Sequence, residues 1–567
     1  MNPGPFHNTI GLAPVDLLEI GLGVLLLFCA LVWRPYLQNV AARFAQRTLP
    51  CMIFLAALPV ALRLLLLPHH PVPTPDVYDE FGHLLVADTL RHLRLSNPPL
   101  PMPQFFETFF VLQRPTYSSI YPLGQGLALA FGWTLFGLPW AGVLLVTGLS
   151  CALSYWMLRA WVAPSWALLG GLLAVIEFGP LSMWMNSYWG GSLAAAAGCL
   201  VFGALPRLVR LPNKRNAGLL GLGVAVHVLT RPYESIFLVA SIGLFLIPFL
   251  KHSVRGSLVR WRAILELALA VVIAMLPAIA LTLLQNRSVT GSWTTLPYTL
   301  SQYQYGVPAA LTFQKPVTPH NSLTPQQALD YRMQRSFQSR PETVQSYLLR
   351  MEYRVRFYRF FFLPPLYIAL AAFLFTVRTY RDGWVLITLL LFALGVNFFP
   401  AFQFHYLAAV TCLFLYVSVA GLERLSRWRP AIGIILIMLC AAQFLLWYGM
   451  HLFEGSGAPV GLARFETWDV LNHANPQRRI EVNRRLAETP GKLLVFVSYS
   501  PNHIFQDEWV YNAAEIKAAR IIWARDLGRQ ENQKLIAYYP GRKVLLLEPD
   551  DRPPKLEAYS EGGPSAQ

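Results

Sequence analysis

"LGQGLALAFGWTLFG", residues 123–137, is apolar enough to enter a bilayer and a little short to cross one. Whether it crosses decides on which side every later loop lies. The chain around it is built for lipid. Of its 567 residues, 55% are hydrophobic and 13% charged, with a mean hydropathy of +0.42. A soluble chain carries roughly 25% charged residues. The composition therefore predicts an α-helical polytopic membrane protein. Spans are expected at 12–33, 49–67, 138–158, 164–179, 191–206, 217–231, 235–250, 263–284, 358–377, 384–399, 405–421 and 431–450, about twelve in all. Several are short and need a thinner or locally distorted bilayer.

The loops give the orientation. Lys and Arg outnumber Asp and Glu, 46 − 30 = 16. In a soluble protein that excess would suggest nucleic acid, but here it sits in short loops between apolar runs. "RPYLQNVAARFAQR", "RLVRLPNKR", "KHSVRGSLVRWR", "RTYRDG" and "ERLSRWR" all fall on one side of the proposed threading. The opposite loops "GPLSMWMNSYWGG" and "PAFQF" hold no Lys or Arg. The basic side is expected to be cytoplasmic. This pattern survives only if 123–137 does not cross, so it is read as a helix lying in the outer interface.

Three polar regions then face outwards: 68–122, about 285–357, and 451–567. The expected organisation is a transmembrane domain over 1–450 and a small extracytoplasmic α/β domain over 451–567. In the latter, "KLLVFVSY" (492–499) and "KVLLLEPD" (543–550) read as strands. "EWVYNAAEIKAARIIWA" between them reads as a helix followed by a strand. Neither GxGxxG nor GxxxxGKS is present, so nothing suggests a nucleotide-binding domain. The six cysteines all lie in apolar runs without a CxxC pair, which fits small buried hydrophobes.

The first external region opens on "PTPDVYDEFGHLLVADTLRHLRL", residues 73–95. Asp76, Asp79 and Glu80 fall within five positions, with His83 one turn on. Pro71, Pro73 and Pro75 keep the chain extended up to Asp76. Phe81, Leu84, Leu85, Ala87 and Leu90 follow at helical spacing. Asp76 is expected as the N-cap, with Asp79 as its capping-box partner. Capping leaves Asp79 and Glu80 less well explained. Crowded carboxylates raise one another's pKa, which suits a proton acceptor near neutral pH. The same group of Asp76, Asp79, Glu80 and His83 offers ligands to a divalent cation, the only cofactor the residues suggest.

Other external residues are candidates for substrate binding. "QFFETFFVLQRPTYSSIYPLGQG" (104–126) offers Glu107, Arg114, Tyr117 and Tyr121. Aromatics with a few polar groups at a membrane boundary suit an amphipathic substrate, and equally an aromatic belt. "MNSYWGG" adds Asn186 and Tyr188 beside Trp189. "TRPYES" puts Arg231 and Glu234 outside, against the positive-inside trend. That arginine has two readings, a contact to a lipid phosphate or a pair with Glu234. His405, in "FQFHY", ends another external loop.

The order of these motifs resembles the GT-C glycosyltransferases. Within them it is similar to the family 39-type and aminoarabinose-transferase-like membrane proteins of bacteria. The resemblance rests on Asp79-Glu80-Phe81, "VADTLRHLRLSNP", "FFETF", "RPTYSSIYPLGQG", "MNSYWGG" and "RPYE". It covers the chain to about residue 235 and, more loosely, the outer domain. What it implies is transfer of a sugar from a polyprenyl-phosphate donor to an envelope glycan, lipid or protein, usually with inversion. The implied location is the outer face of the cytoplasmic membrane. Asp79 or Glu80 would be the base, Asp76 a less regular helper, and Arg231 or Arg114 the cation facing the departing phosphate. Two departures stand out: an additional N-terminal span, and Ile120 where a basic residue is common in the family. A transporter of lipid-linked glycans and a non-catalytic envelope-assembly protein are the competing readings. Transporters place polar residues at mid-membrane, whereas here they gather in external loops.

Overall fold

The computed structural model describes residues 14–32, 34–254, 258–338, 341–453 and 476–559. Over the described residues each of the twelve apolar runs falls mainly on helix, with 358–377 broken at 362–365. Among the described residues six helices are long and apolar enough to cross a membrane: Thr48–Leu65, Pro139–Leu158, Ser192–Arg210, Trp261–Thr290, Phe404–Trp428 and Pro430–Phe453. Leu17–Val32, Leu123–Phe136, Pro164–Phe178 and Glu234–Phe249 are apolar but shorter. Of the roughly twelve expected spans, several of them expected to be short, six reach this length among the described residues, or seven if one bent pair is a single span.

That pair corrects the run 358–377, expected as one span. Val344–Phe361 and Leu366–Phe375 meet at 114°. Pro364 and Pro365 at the bend lack backbone N–H donors. The Leu363 N–H just before them donates to the buried Glu177 carboxylate at 3.0 Å, so the broken helix end keeps a partner.

Helix Leu123–Phe136 is about 21 Å long. It lies against Pro139–Leu158 on one side and Tyr78–Arg91 on the other. Glycine makes the first contact possible: a Cβ on Gly132 would sit 2.1 Å from the Gly142 nitrogen. Leu127, Phe131, Leu135 and Phe136 remain exposed along its outer side.

The C-terminal domain is a four-stranded sheet. Its strands are Leu493–Val497, Ile521–Arg525, Lys543–Glu548 and Lys555–Ala558. Leu493–Val497 pairs in parallel with the next two, one on each side, and Lys555–Ala558 adds antiparallel to Lys543–Glu548. All three expected strands are present, Ile521–Arg525 being the one read after the helix. The expected helix after Glu508 is not: 508–520 is irregular chain with one turn at 516–518. Side chains have taken over its backbone bonding. The Glu508 carboxylate accepts the Trp509 and Val510 N–H groups at 3.0 and 3.1 Å. Asn512 mimics a strand partner, accepting from Trp523 N at 2.9 Å and donating to its carbonyl at 2.8 Å. Such local bonds compete directly with helix.

This domain packs on the polar regions 68–122 and 285–357. Tyr117 donates its hydroxyl to the Asn512 carbonyl at 2.9 Å. Arg525 donates to the Glu107 carbonyl at 2.9 Å and to Gln326 at 2.7 Å. Residues in contact share a side, so 76–121, the Pro325–Ser336 helix and 476–559 lie together at one end of the helical bundle.

Candidate active site

The site is organised by the helix Tyr78–Arg91, which starts one residue later than expected. Val77, not Asp76, occupies the N-cap position. Glu80, not Asp79, is the residue whose carboxylate reaches back. Its Oε2 accepts the Asp76 and Val77 N–H groups at 2.8 and 3.2 Å. Its Oε1 accepts the Tyr188 N–H at 2.8 Å. Burial raises Glu80 to about 7 despite these bonds. Both oxygens are committed to backbone, so Glu80 ties the helix to the "MNSYWGG" loop. Around that loop, Asn186 accepts from Arg63 Nε at 2.6 Å and donates to the Pro180 and Ser182 carbonyls. Tyr188 donates to the Pro73 carbonyl at 2.9 Å. Asn186 and Tyr188 are therefore framework.

Asp79 is different. It is half-buried and points to another side of the helix. The Tyr121 hydroxyl donates to its Oδ1. Burial raises its pKa to about 6, against the opposing pull of Tyr121, of the Arg231 charge and of the Trp189 side chain. A carboxylate so tuned is ionised at neutral pH yet takes up a proton readily. Gly82 lets Tyr121 come this close, since a Cβ there would meet its ring at 2.7 Å.

His83 lies one turn on, its ring 4.2 Å from that of Tyr121. Burial, then the Arg231 charge, lowers His83 to about 3, so the imidazole is neutral. Its Nδ1 is buried without a partner. His405 Nδ1 is also buried and unpartnered, with its ring 5.3 Å from Trp189. Arg231 sits with its guanidinium 5.5 Å from the Tyr406 ring. Among the described residues it makes no ion pair or side-chain hydrogen bond. Of the two readings of this arginine, the ion pair with Glu234 is not formed, although the two lie close enough to interact electrostatically.

The structure separates the other candidates from this cluster. Glu107 faces Gln327 at 3.5 Å and the Arg525 charge, and burial raises it. Tyr117 is spent on the C-terminal domain. Arg114 is exposed, and its carbonyl accepts from Gln304 at 2.9 Å. Asp76 lies beside Glu80 and within range of Arg479. Among the described residues no three His, Cys, Asp or Glu side chains converge as metal ligands. The set Asp76, Asp79, Glu80 and His83 is divided between two sides of the helix and forms no cage.

Three contributors went unread in the sequence. Asp330 is fully buried, bonded to Gln334 at 2.8 and 2.9 Å, and raised to about 7 by burial. Its charge and that of Asp79 repel. Tyr406 places its ring 5.5 Å from the Arg231 guanidinium, and its neighbour His405 was the available signal. Tyr511 comes from the segment misread as helix.

Solved structures of similar shape exist. ArnT from Cupriavidus metallidurans matches in the apo state at 12% identity and TM-score 0.47, and bound to undecaprenyl phosphate at 11% and 0.48. Each match covers 87% of this chain and 92% of the other. The archaeal oligosaccharyltransferase AglB from Archaeoglobus fulgidus, in complex with an inhibitory peptide and a dolichol-phosphate, matches at 12% and 0.41. That match covers 89% of this chain and 70% of the other. Neither a family model nor a curated protein sequence matches the chain.

Proposed function

We propose that this chain is a GT-C-type membrane glycosyltransferase that moves a sugar from a polyprenyl-phosphate donor to a hydroxyl of an envelope glycan, lipid or protein. The observation that carries this reading is one pair. Asp79 is a half-buried carboxyl held at about 6, and Arg231, whose charge reaches both Asp79 and Glu234, makes no ion pair among the described residues. A base and a cation within electrostatic range of each other suit transfer from a phosphate leaving group.

In this reading the acceptor hydroxyl gives its proton to Asp79 as its oxygen attacks the anomeric carbon. The carbon–oxygen bond to phosphate breaks on the opposite face, and the polyprenyl phosphate leaves with the electron pair. Arg231 neutralises the growing charge there. Tyr121 orients Asp79 through the hydroxyl bond. The neutral His83, and His405, offer ring nitrogens that have no hydrogen-bond partner among the described residues to sugar hydroxyls. Inversion follows from attack opposite the leaving group. The apolar helices beside the site would keep the donor's tail in lipid. Positive loops at the other end of the bundle support an extracytoplasmic site in the cytoplasmic membrane.

The test uses the full chain in lipid nanodiscs with polyprenyl-phosphate sugars and envelope extract. Sugar transfer by the unaltered chain, and its loss in Asp79→Asn, is the expected result. Full transfer by Asp79→Asn refutes the base. Energy-dependent movement of donor without transfer would replace the enzyme with a transporter.

A further inference from the structure

The helix Tyr78–Arg91 has a third side, and the C-terminal domain covers it. Phe81 stacks on Tyr511 with centroids 4.4 Å apart and planes 5° from parallel. The Arg479 guanidinium lies 4.9 Å from the same Phe81 ring and 4.3 Å from Trp509. Arg479 is itself held by the Glu508 carbonyl at 2.7 Å and by Asp507 at 3.6 Å. One turn on, Leu85 joins a core with Leu494, Phe496 and Ile516. The Asp88 carboxylate then accepts the Ala514 N–H at 2.8 Å. Arg94, just past the helix, pairs with Glu515.

Positions 81, 85 and 88 form one stripe, on roughly the opposite side of the helix from Asp79. A helix of 14 residues is marginal alone, so its rotation is fixed by what grips its sides. The bundle grips one through Glu80. The domain grips the other through Phe81, Leu85 and Asp88. Tyr511 is also within electrostatic range of Asp79 itself.

We propose that the C-terminal α/β domain is a positioning clamp for the helix that carries Asp79, acting through Tyr511 and Arg479. The clamp is read from packing alone. Only its effect on turnover rests on the glycosyltransferase reading. Tyr511 and Arg479 are positioning residues: they touch Phe81, and Phe81 is two residues from Asp79.

The test has two arms, both in the full-length chain in nanodiscs. In the first, Asp79→Cys reports access to a charged, membrane-impermeant maleimide, with the chain lacking that substitution as background. Labelling is expected to be slow. Adding Tyr511→Ala is expected to speed it roughly tenfold, the shift that follows from losing one buried aromatic stack. Tyr511→Phe keeps the stack and the slow rate. Phe81→Leu removes the stack from the helix side and gives the same rise if Tyr511→Ala does not fold. Labelling within twofold of the reporter chain in both Tyr511→Ala and Phe81→Leu overturns the clamp.

In the second arm, Asp79 is kept. Tyr511→Ala and Arg479→Gln are expected to lower kcat at least tenfold with the donor KM within twofold, and Tyr511→Phe to restore it. Faster labelling with unchanged kcat refutes the catalytic role of the clamp. If Asp79→Asn itself transfers sugar, the enzyme reading fails while the labelling arm still reads the clamp.

Discussion

Asp79→Asn is expected to abolish turnover and at the same time stabilise the protein. The Asp79 carboxyl is raised from 3.8 to about 6, chiefly by burial. Between those two values the folded chain holds the proton more tightly than the unfolded one. Stability therefore falls as pH rises through that window, and above about 6 the full cost stands. The difference amounts to about 3 kcal/mol at most. Asp79 keeps some exposure to water, which screens it, so about 1–2 kcal/mol is the figure to expect. Asparagine cannot ionise but can still accept the Tyr121 hydroxyl, so it escapes this cost. Melting of the variant in nanodiscs at pH 8 should exceed that of the unaltered chain, and the gain should vanish near pH 3.5. Turnover should fall by ~10²–10⁴. In the unaltered chain turnover should drop about tenfold per pH step below about 6, as the base takes up its proton. A variant that melts lower at pH 8 would refute the burial argument, and one that turns over normally would refute the base.

The adjoining carboxylate should behave in the opposite sense. Glu80→Ala leaves the Asp76, Val77 and Tyr188 N–H groups without their acceptor and is expected to destabilise by ~2–3 kcal/mol, read as a lower melting point at pH 6. Gly82→Ala puts a methyl 2.7 Å from the Tyr121 ring, so it should displace that hydroxyl from Asp79 and lower kcat, with a smaller effect when combined with Tyr121→Phe. Arg231→Ala should lower kcat by ~10²–10³, with a modest fall in melting point as the Tyr406 ring contact and the charge near Asp79 and Glu234 are lost. Arg231→Lys should recover part of the loss, and equal loss in both would point to a shape role.

The helical architecture was legible because apolar runs are long and unambiguous. Over the described residues all twelve fell mainly on helix, and only 358–377 is broken within it. Their count as spans was less legible, because length and bending depend on neighbours. Pro364 and Pro365 were visible, but not that Glu177, far along the chain, would receive the freed Leu363 N–H. In the segment 68–122 the acids were found, with Asp79 and Glu80 singled out, but the capping bonds expected of Asp76 and Asp79 are made by Glu80. Spacing favoured Asp76 and Asp79 for capping. The chain starts its helix one residue later, and that shift hands the capping position to Glu80 and leaves Asp79 for the site. Asp330 and Tyr511 carried no local signal, since only the folded chain brings them near. The segment 508–520 looked helical by composition because competing bonds from Glu508 and Asn512 depend on tertiary contacts.

The two-sided grip on Tyr78–Arg91 also constrains how this chain can change. Each residue along a helix advances about 100°. One inserted or deleted residue between Phe81 and Leu85 would put everything downstream out of phase, turning Leu85 and Asp88 away from the domain while Asp79 stays in place. Substitutions can be absorbed singly, but length changes here cannot. A chimera that exchanges the C-terminal domain with a relative's should therefore work only if the first-loop helix travels with it.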